Sequence, residues 1–220
     1  MQSIEYLELS DLKIYQDDDL YHFTSDAILL SKFTVVKKGD VVADFCSGSG
    51  IVGFNLYGLN PVIDKLTFFE MQKPLFDLSV KSIELNNLQD KFSAINVKLQ
   101  DIPKEYTEKF SLIVCNPPYM KVGAGEHQEQ EHIAVCRSEL TLSLKELISA
   151  VSKCLKFGGR INLVHRADRL IDVIDEMKKK GIEPKKLQFV RGGNKAPYLF
   201  MIEGVKGGKS GKKIIPEIVN

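Results

Sequence analysis

The sequence predicts an α/β fold: one domain built on a Rossmann-like, doubly wound and mostly parallel seven-stranded sheet, with one antiparallel strand near the C-terminus. Three observations point there. Apolar runs of strand length alternate with segments of helical spacing, which implies parallel strands joined by crossover helices. A glycine-rich turn follows the first of these strands, as in sheets that bind a ligand at a strand end. Near the end of the chain two apolar runs are separated only by "GGNKAP", which reads as a hairpin and supplies the antiparallel strand.

In chain order, Val41–Phe45 is the first strand and Ile51–Leu59 a short helix. Leu66–Glu70 is the second strand. Pro74–Leu88 carries Phe76, Val80, Ile83 and Leu88 at helical spacing. Phe92–Leu99 and Phe110–Cys115 are the third and fourth strands. Leu142–Leu155 is a helix, for which Phe157-Gly158-Gly159 is the expected C-cap. Arg160–His165 is the fifth strand, and Arg169–Lys180 a helix stopped by Gly181. Leu187–Arg191 and Tyr198–Val205 form the closing hairpin. Three segments stand outside this alternation: residues 1–38, the polar loop "MKVGAGEHQEQEHIAVCRSE", and a glycine- and lysine-rich tail from 206 to 220, expected to be mobile.

The composition is that of an ordinary globular chain: 220 residues, 44% apolar and 27% charged. No apolar run has transmembrane length, and "MQSIEYLELS" lacks the basic and apolar regions of a secretory signal. Cys46, Cys115, Cys136 and Cys154 include no C-x-x-C pair, so a zinc knuckle is not expected and a reducing, cytoplasmic setting is. His127 and His132 lie five residues apart, a spacing that suits no helix face, so no metal site is expected. From Lys153 onward 16 Lys+Arg stand against 7 Asp+Glu, whereas 14 stand against 22 before it. A basic half beside an acidic one suits a polyanionic partner.

"VVADFCSGSGIVGF" holds the chemistry of the first strand end. Gly48, Gly50 and Gly53 match the pattern G-x-G-x-x-G, and Glu70 lies 20 residues beyond Gly50. Glycines let backbone approach a ligand, and an acid ending the second strand can take both ribose hydroxyls. Asp44 precedes the glycines; it would repel a pyrophosphate but suits a cationic ligand. S-adenosylmethionine, a nucleoside with a sulfonium and an ammonium, satisfies both conditions and is favoured over NAD, which would also need a hydride-transfer partner site that nothing obvious supplies.

The Asp44 turn, Glu70 and "NPPY" (Asn116-Pro117-Pro118-Tyr119), in this order, resemble the class I S-adenosylmethionine-dependent methyltransferases that act on planar amino groups. The resemblance implies that Met71 packs on the adenine and that Asp101, after the third strand, binds the adenine amino group. It also makes Asn116 part of both the cofactor site and the catalytic site. An amide-like nitrogen is a poor nucleophile because its lone pair is delocalised. Acceptors gripping its N–H groups would restore that lone pair, and Asn116 Oδ1 and the Pro117 carbonyl can provide them. Tyr119 can stack on a flat substrate.

Enzymes with this motif methylate adenine N6, guanine N2 of ribosomal RNA, or the side-chain amide of glutamine in proteins. Only 40 residues precede Val41, which disfavours the glutamine enzymes with their sizeable preceding helical domain. The chain as a whole is similar to the tRNA1(Val) adenine-N6 methyltransferases, through "IYQDDDLYHFTSDAILLSKF" near the start and "RGGNKAPYLFMIEGVKGGKSG" near the end. This resemblance implies that residues 1–38 form a lid with Gln16, Phe23, Thr24 and Asp26 at the cofactor. It further implies methylation of the adenosine 3′ of the anticodon, with tRNA as the partner; the protein itself is expected to be a monomer. Pro118, Lys121, Arg137, Arg166, Arg191 and Lys195 are then the principal candidates for substrate binding. Arg169, Lys206, Lys209, Lys212 and Lys213 are further cations for the RNA backbone. A non-catalytic RNA-binding module is the reading furthest from this one.

Overall fold

The computed structural model describes residues 2–8, 10–20, 25–117, 142–211 and 213–219. An N-terminal hairpin of β1 (Gln2–Tyr6) and β2 (Lys13–Asp17) leads into helix α1 (Ser25–Phe33). The alternating part follows: β3 (Val41–Phe45), α2 (Ile51–Leu59), β4 (Lys65–Glu70), α3 (Lys73–Leu85), β5 (Phe92–Asn96) and β6 (Phe110–Cys115). Next come α4 (Leu144–Cys154), β7 (Leu155–Arg166), α5 (Leu170–Lys179), β8 (Ile182–Arg191) and β9 (Pro197–Lys206). Two short strands, β10 (Lys213–Ile214) and β11 (Ile218–Val219), close the chain.

The seven long strands lie in the order β8-β9-β7-β6-β3-β4-β5, with β10 and β11 added outside β8. β9 runs antiparallel to β7 and β8, and every other pairing in this sheet is parallel. The strand order reverses between β3 and β6, so their carboxyl ends open a crevice where ligands of such sheets bind.

Strand pleating sorts the core into two faces. Val42, Leu66, Phe68, Leu112 and Val114 pack with α1 and α2. Ala43, Phe45, Ile113, Cys115, Ile161 and Leu163 pack with α4 and α5 through Leu147, Val151, Val173 and Met177. Both faces are apolar at successive strand residues, as a sheet covered on both sides requires.

The stretch between α1 and β3 is held by buried charge. Arg160 of β7 pairs with Asp40 and donates to the Val35 carbonyl. Asp40 also accepts from the Ser111 hydroxyl of β6 (2.7 Å) and from Lys37 N (2.7 Å). Lys186 of β8 reaches the Phe33 carbonyl at the end of α1 (2.8 Å). Three strands thus grip the linker that carries the N-terminal segment.

Three expectations change. Phe157-Gly158-Gly159 does not cap α4, because β7 begins at Leu155, the capping residue itself. Phe110 pairs with Leu155 but Leu112 with Arg160, so the intervening residues bulge outward, with Gly158 at φ 76°. The carbonyls at the end of α4 have other partners: Lys206 Nζ bonds Ser152 O and Leu155 O, and Glu108 N bonds Lys153 O. The start of the chain forms a hairpin that the alternation gave no sign of. It docks on α3 because the Asn86 amide takes both the N–H and the carbonyl of Lys13, while Ser82 Oγ accepts from Tyr15 N. Residues 213–219, expected to be mobile, instead lie along β8 in parallel register, with Ile215 N bonded to Leu187 O.

Candidate active site

The crevice between β3 and β6 is floored by the glycine turn. Gly48 (φ 56°) takes the left-handed conformation, and a Cβ placed on it would meet nothing within 4 Å, so this backbone faces open space. Gly53 serves packing instead, since a Cβ there would come within 2.4 Å of the Phe68 ring. The last glycine therefore lets α2 settle on β4, and the first leaves room for a ligand.

Asp44, in the last turn of pleat before this loop, is fully buried. Its Oδ2 accepts from Gly53 N (2.9 Å), while Oδ1 has no hydrogen-bond partner among the described residues. Burial pushes this carboxyl up to about 8; the Gly53 N–H opposes the shift and the charge of Glu70 adds to it. A buried carboxylate in this position calls for a cation. Ser47 Oγ nearby in the chain is also buried without a partner.

Glu70 ends β4 with both carboxylate oxygens engaged: Oε2 accepts from Gly48 N and Oε1 from Gln72 N, each at 2.8 Å. Burial raises its pKa, and the N–H groups of Gln72, Gly48 and Met71 oppose that shift. Each oxygen keeps a second lone pair that a ribose hydroxyl can use. The Asn96 amide at the end of β5 braces the same corner through the Glu70 and Met71 carbonyls (2.9 and 3.0 Å). Asp101 lies exposed in a 3₁₀ turn after β5, on the same side of the sheet.

The hairpin reaches the turn through Gln16. This residue is fully buried, donates from Nε2 to Ser49 Oγ (2.5 Å) and leaves Oε1 without a partner. Asp26 is buried in the first turn of α1. On the other wall, Asn116 follows β6, and its Oδ1 is buried with no partner among the described residues; Pro117 beside it is buried. Behind this wall burial holds the Cys115 thiol well above its usual range, and the Cys46 thiol adds to that shift.

Phe23, Thr24, Pro118, Tyr119, Lys121 and Arg137 lie outside the described residues, as do Lys212, His127 and His132. Asp44, Gly48, Gly50, Glu70 and Asn116, together with Gln16 of the hairpin, are brought to the crevice. Arg166 and Arg191 lie at the carboxyl ends of β7 and β8, paired with Asp168 (2.8 Å) and Glu217 (2.7 Å). Lys195 is exposed in the β8–β9 turn. Lys206 lies at the opposite edge of the sheet, on the carbonyls of α4. Ser47, Ser49 and Asn96 are not among the residues the sequence marks out. The two serines stand inside the glycine turn, whose pattern is carried by its glycines. Asn96 falls in a strand, and only its polar amide at the strand end marks it.

Fold and site together define a Rossmann-like methyltransferase domain. The chain belongs to the methyltransferase small domain family, whose model matches residues 23–180. It is similar to two tRNA1(Val) (adenine(37)-N6)-methyltransferases. The protein of Histophilus somni is 24% identical over 69% of this chain and 63% of its own length. That of Shewanella woodyi is 22% identical over 80% of this chain and 72% of its own length. Among solved structures, a predicted O-methyltransferase, Atu636 from Agrobacterium tumefaciens, superposes with a TM-score of 0.69 at 15% identity, covering 88% of this chain and 86% of that one. TYW2 of M. jannaschii, solved with AdoMet, gives 0.65 at 13% identity, covering 92% and 84%. Among the described residues no helix is long and apolar enough to cross a membrane.

Proposed function

We propose that this protein transfers a methyl group from S-adenosylmethionine to the exocyclic amine of an adenine in RNA, with N6 of the adenosine 3′ of a tRNA anticodon as its target. The observation that carries the reading is Asn116 Oδ1, an acceptor buried without a partner among the described residues at the tip of β6, across the crevice from the glycine turn. The cofactor fits the residues present. Asp44 Oδ1 is a buried acceptor awaiting positive charge, Gly48 opens onto free space, and Glu70 keeps lone pairs for a diol.

When bound, S-adenosylmethionine supplies an electrophilic methyl on a sulfonium. The chain's own groups do the rest. Asn116 Oδ1 accepts an N–H of the target amine and draws its lone pair out of conjugation. The Pro117 carbonyl takes the second N–H, and the stiffness of two prolines keeps both acceptors fixed as charge develops. Gln16 holds the hairpin on the turn through Ser49 and so shields the cofactor from water. No strong base is needed, because the amine proton leaves after transfer.

The adenine and tRNA assignments draw on the two relatives described above, which modify adenine 37 of tRNA1(Val) according to their names. Incubating the protein with labelled S-adenosylmethionine and total small RNA, followed by nucleoside analysis, tests them. N6-methyladenosine is the expected product. N2-methylguanosine, or no methylated nucleoside at all, would each overturn the adenine assignment.

A further inference from the structure

The carboxyl edge of the sheet continues from Asn116 across β7, β9 and β8. At a strand spacing of about 4.8 Å, the start of β9 lies roughly 10 Å from Asn116 and the end of β8 roughly 14 Å. Tyr198 occupies that start. On β8, Val190 pairs with Leu199 and Arg191 with Pro197, so Tyr198 is the extra residue of a bulge in β9. On the other side Leu199 pairs with Arg166, which places Tyr198 beside Ala167 at the head of the turn leading to α5. Tyr198 is 43% exposed, whereas Leu199, Phe200, Met201 and Ile202 are buried. A bulge of this kind re-aims a side chain out of the sheet.

The charges around this ring are more muted than the lysine and arginine count suggests. Arg166, Arg169 and Arg191 each face an exposed carboxylate, Asp168, Asp172 and Glu217. Phosphates would have to displace those carboxylates, so charge alone gives a weak grip. A ring face adds attraction that ignores charge and base identity, since every base has a π-face. Only an unpaired base can offer its face, and bases of RNA loops do so where duplex bases do not.

We infer that Tyr198 is the stacking platform for an unpaired RNA base flanking the methylated nucleotide, flanked in turn by Arg166, Arg191 and Lys195 on the phosphates. This rests on the RNA reading of the active site. The probe is an RNA stem-loop carrying 2-aminopurine beside the loop adenine. Wild-type protein should quench its fluorescence. Tyr198→Ala should weaken RNA binding about tenfold, leave the salt dependence unchanged, and leave S-adenosylmethionine affinity by calorimetry intact; Tyr198→Phe should bind like wild type. Wild-type affinity in Tyr198→Ala overturns the assignment. So does a Tyr198→Ala protein that loses donor affinity along with RNA, which would mark a merely structural role. Wild-type protein that neither binds nor methylates RNA overturns the RNA reading itself.

Discussion

The two halves of the sheet handle polar groups in opposite ways. In the β3–β5 half, Glu70 is braced on both oxygens by backbone N–H groups, and Asn96 holds the corner behind it. That half is assembled before any ligand arrives. In the β6–β9 half, Asn116 Oδ1 has no partner among the described residues, and Arg166 and Arg191 at the carboxyl edge rest on exposed carboxylates that other anions could replace. Asp44 stands on the boundary, with one oxygen tied and one free. On the proposed reading, the contrast teaches that a donor site can be rigid while the substrate site keeps its bonding capacity unmade until the substrate supplies it.

The largest expected effect concerns what both halves hang on. Arg160→Ala leaves Asp40 as a buried unpaired charge and should cost about 3–5 kcal/mol, read as a lower denaturant midpoint at constant m. Asn116→Ala separates the halves most sharply: turnover should fall about 10²–10³-fold while donor affinity by calorimetry stays put. An equal loss of both would erase the distinction. Glu70→Gln should do the reverse, weakening donor binding roughly 10- to 150-fold through lost charge-assisted hydrogen bonds.

A pH series sharpens the place of Asp44. Its carboxyl is held at about 8 in the folded chain against 3.8 as its ordinary value. The folded protein therefore binds the proton more tightly than the unfolded one between those values. This group's contribution to ligand-free stability should fall as pH rises from about 4 to about 8. Asp44→Asn should lack that slope, measured by thermal melts across the range. The smallest effect tests the far edge of the sheet: Lys206→Met should lower stability by about 0.3–1 kcal/mol through the C-terminus of α4 and leave RNA affinity unchanged.

Local chemistry made much of this legible in the sequence. Val41–Phe45, Ile51–Leu59 and Phe110–Cys115 have the bounds their residues predict, because a glycine turn and an Asn-Pro-Pro step punctuate the chain wherever they occur. Partnerships made at long range were not legible. The β1–β2 hairpin depends on Asn86 and Ser82 far along the chain, and the final strands depend on the free side of β8. Likewise Phe157-Gly158-Gly159 looked like a helix stop because nothing local reveals that Lys206 already meets those carbonyls. The same blindness overstated the basic half: composition counts Arg166, Arg169 and Arg191 but cannot see the acids beside them.

Residues 213–219 sheathe the outer margin of β8 along Lys186–Arg191. An open margin of that kind is a template on which another molecule's strand can add. The short terminal strands thus act as a colloidal safeguard. Their removal should show in light scattering, as growth of particle size with concentration, well before it shows in the melting of the domain.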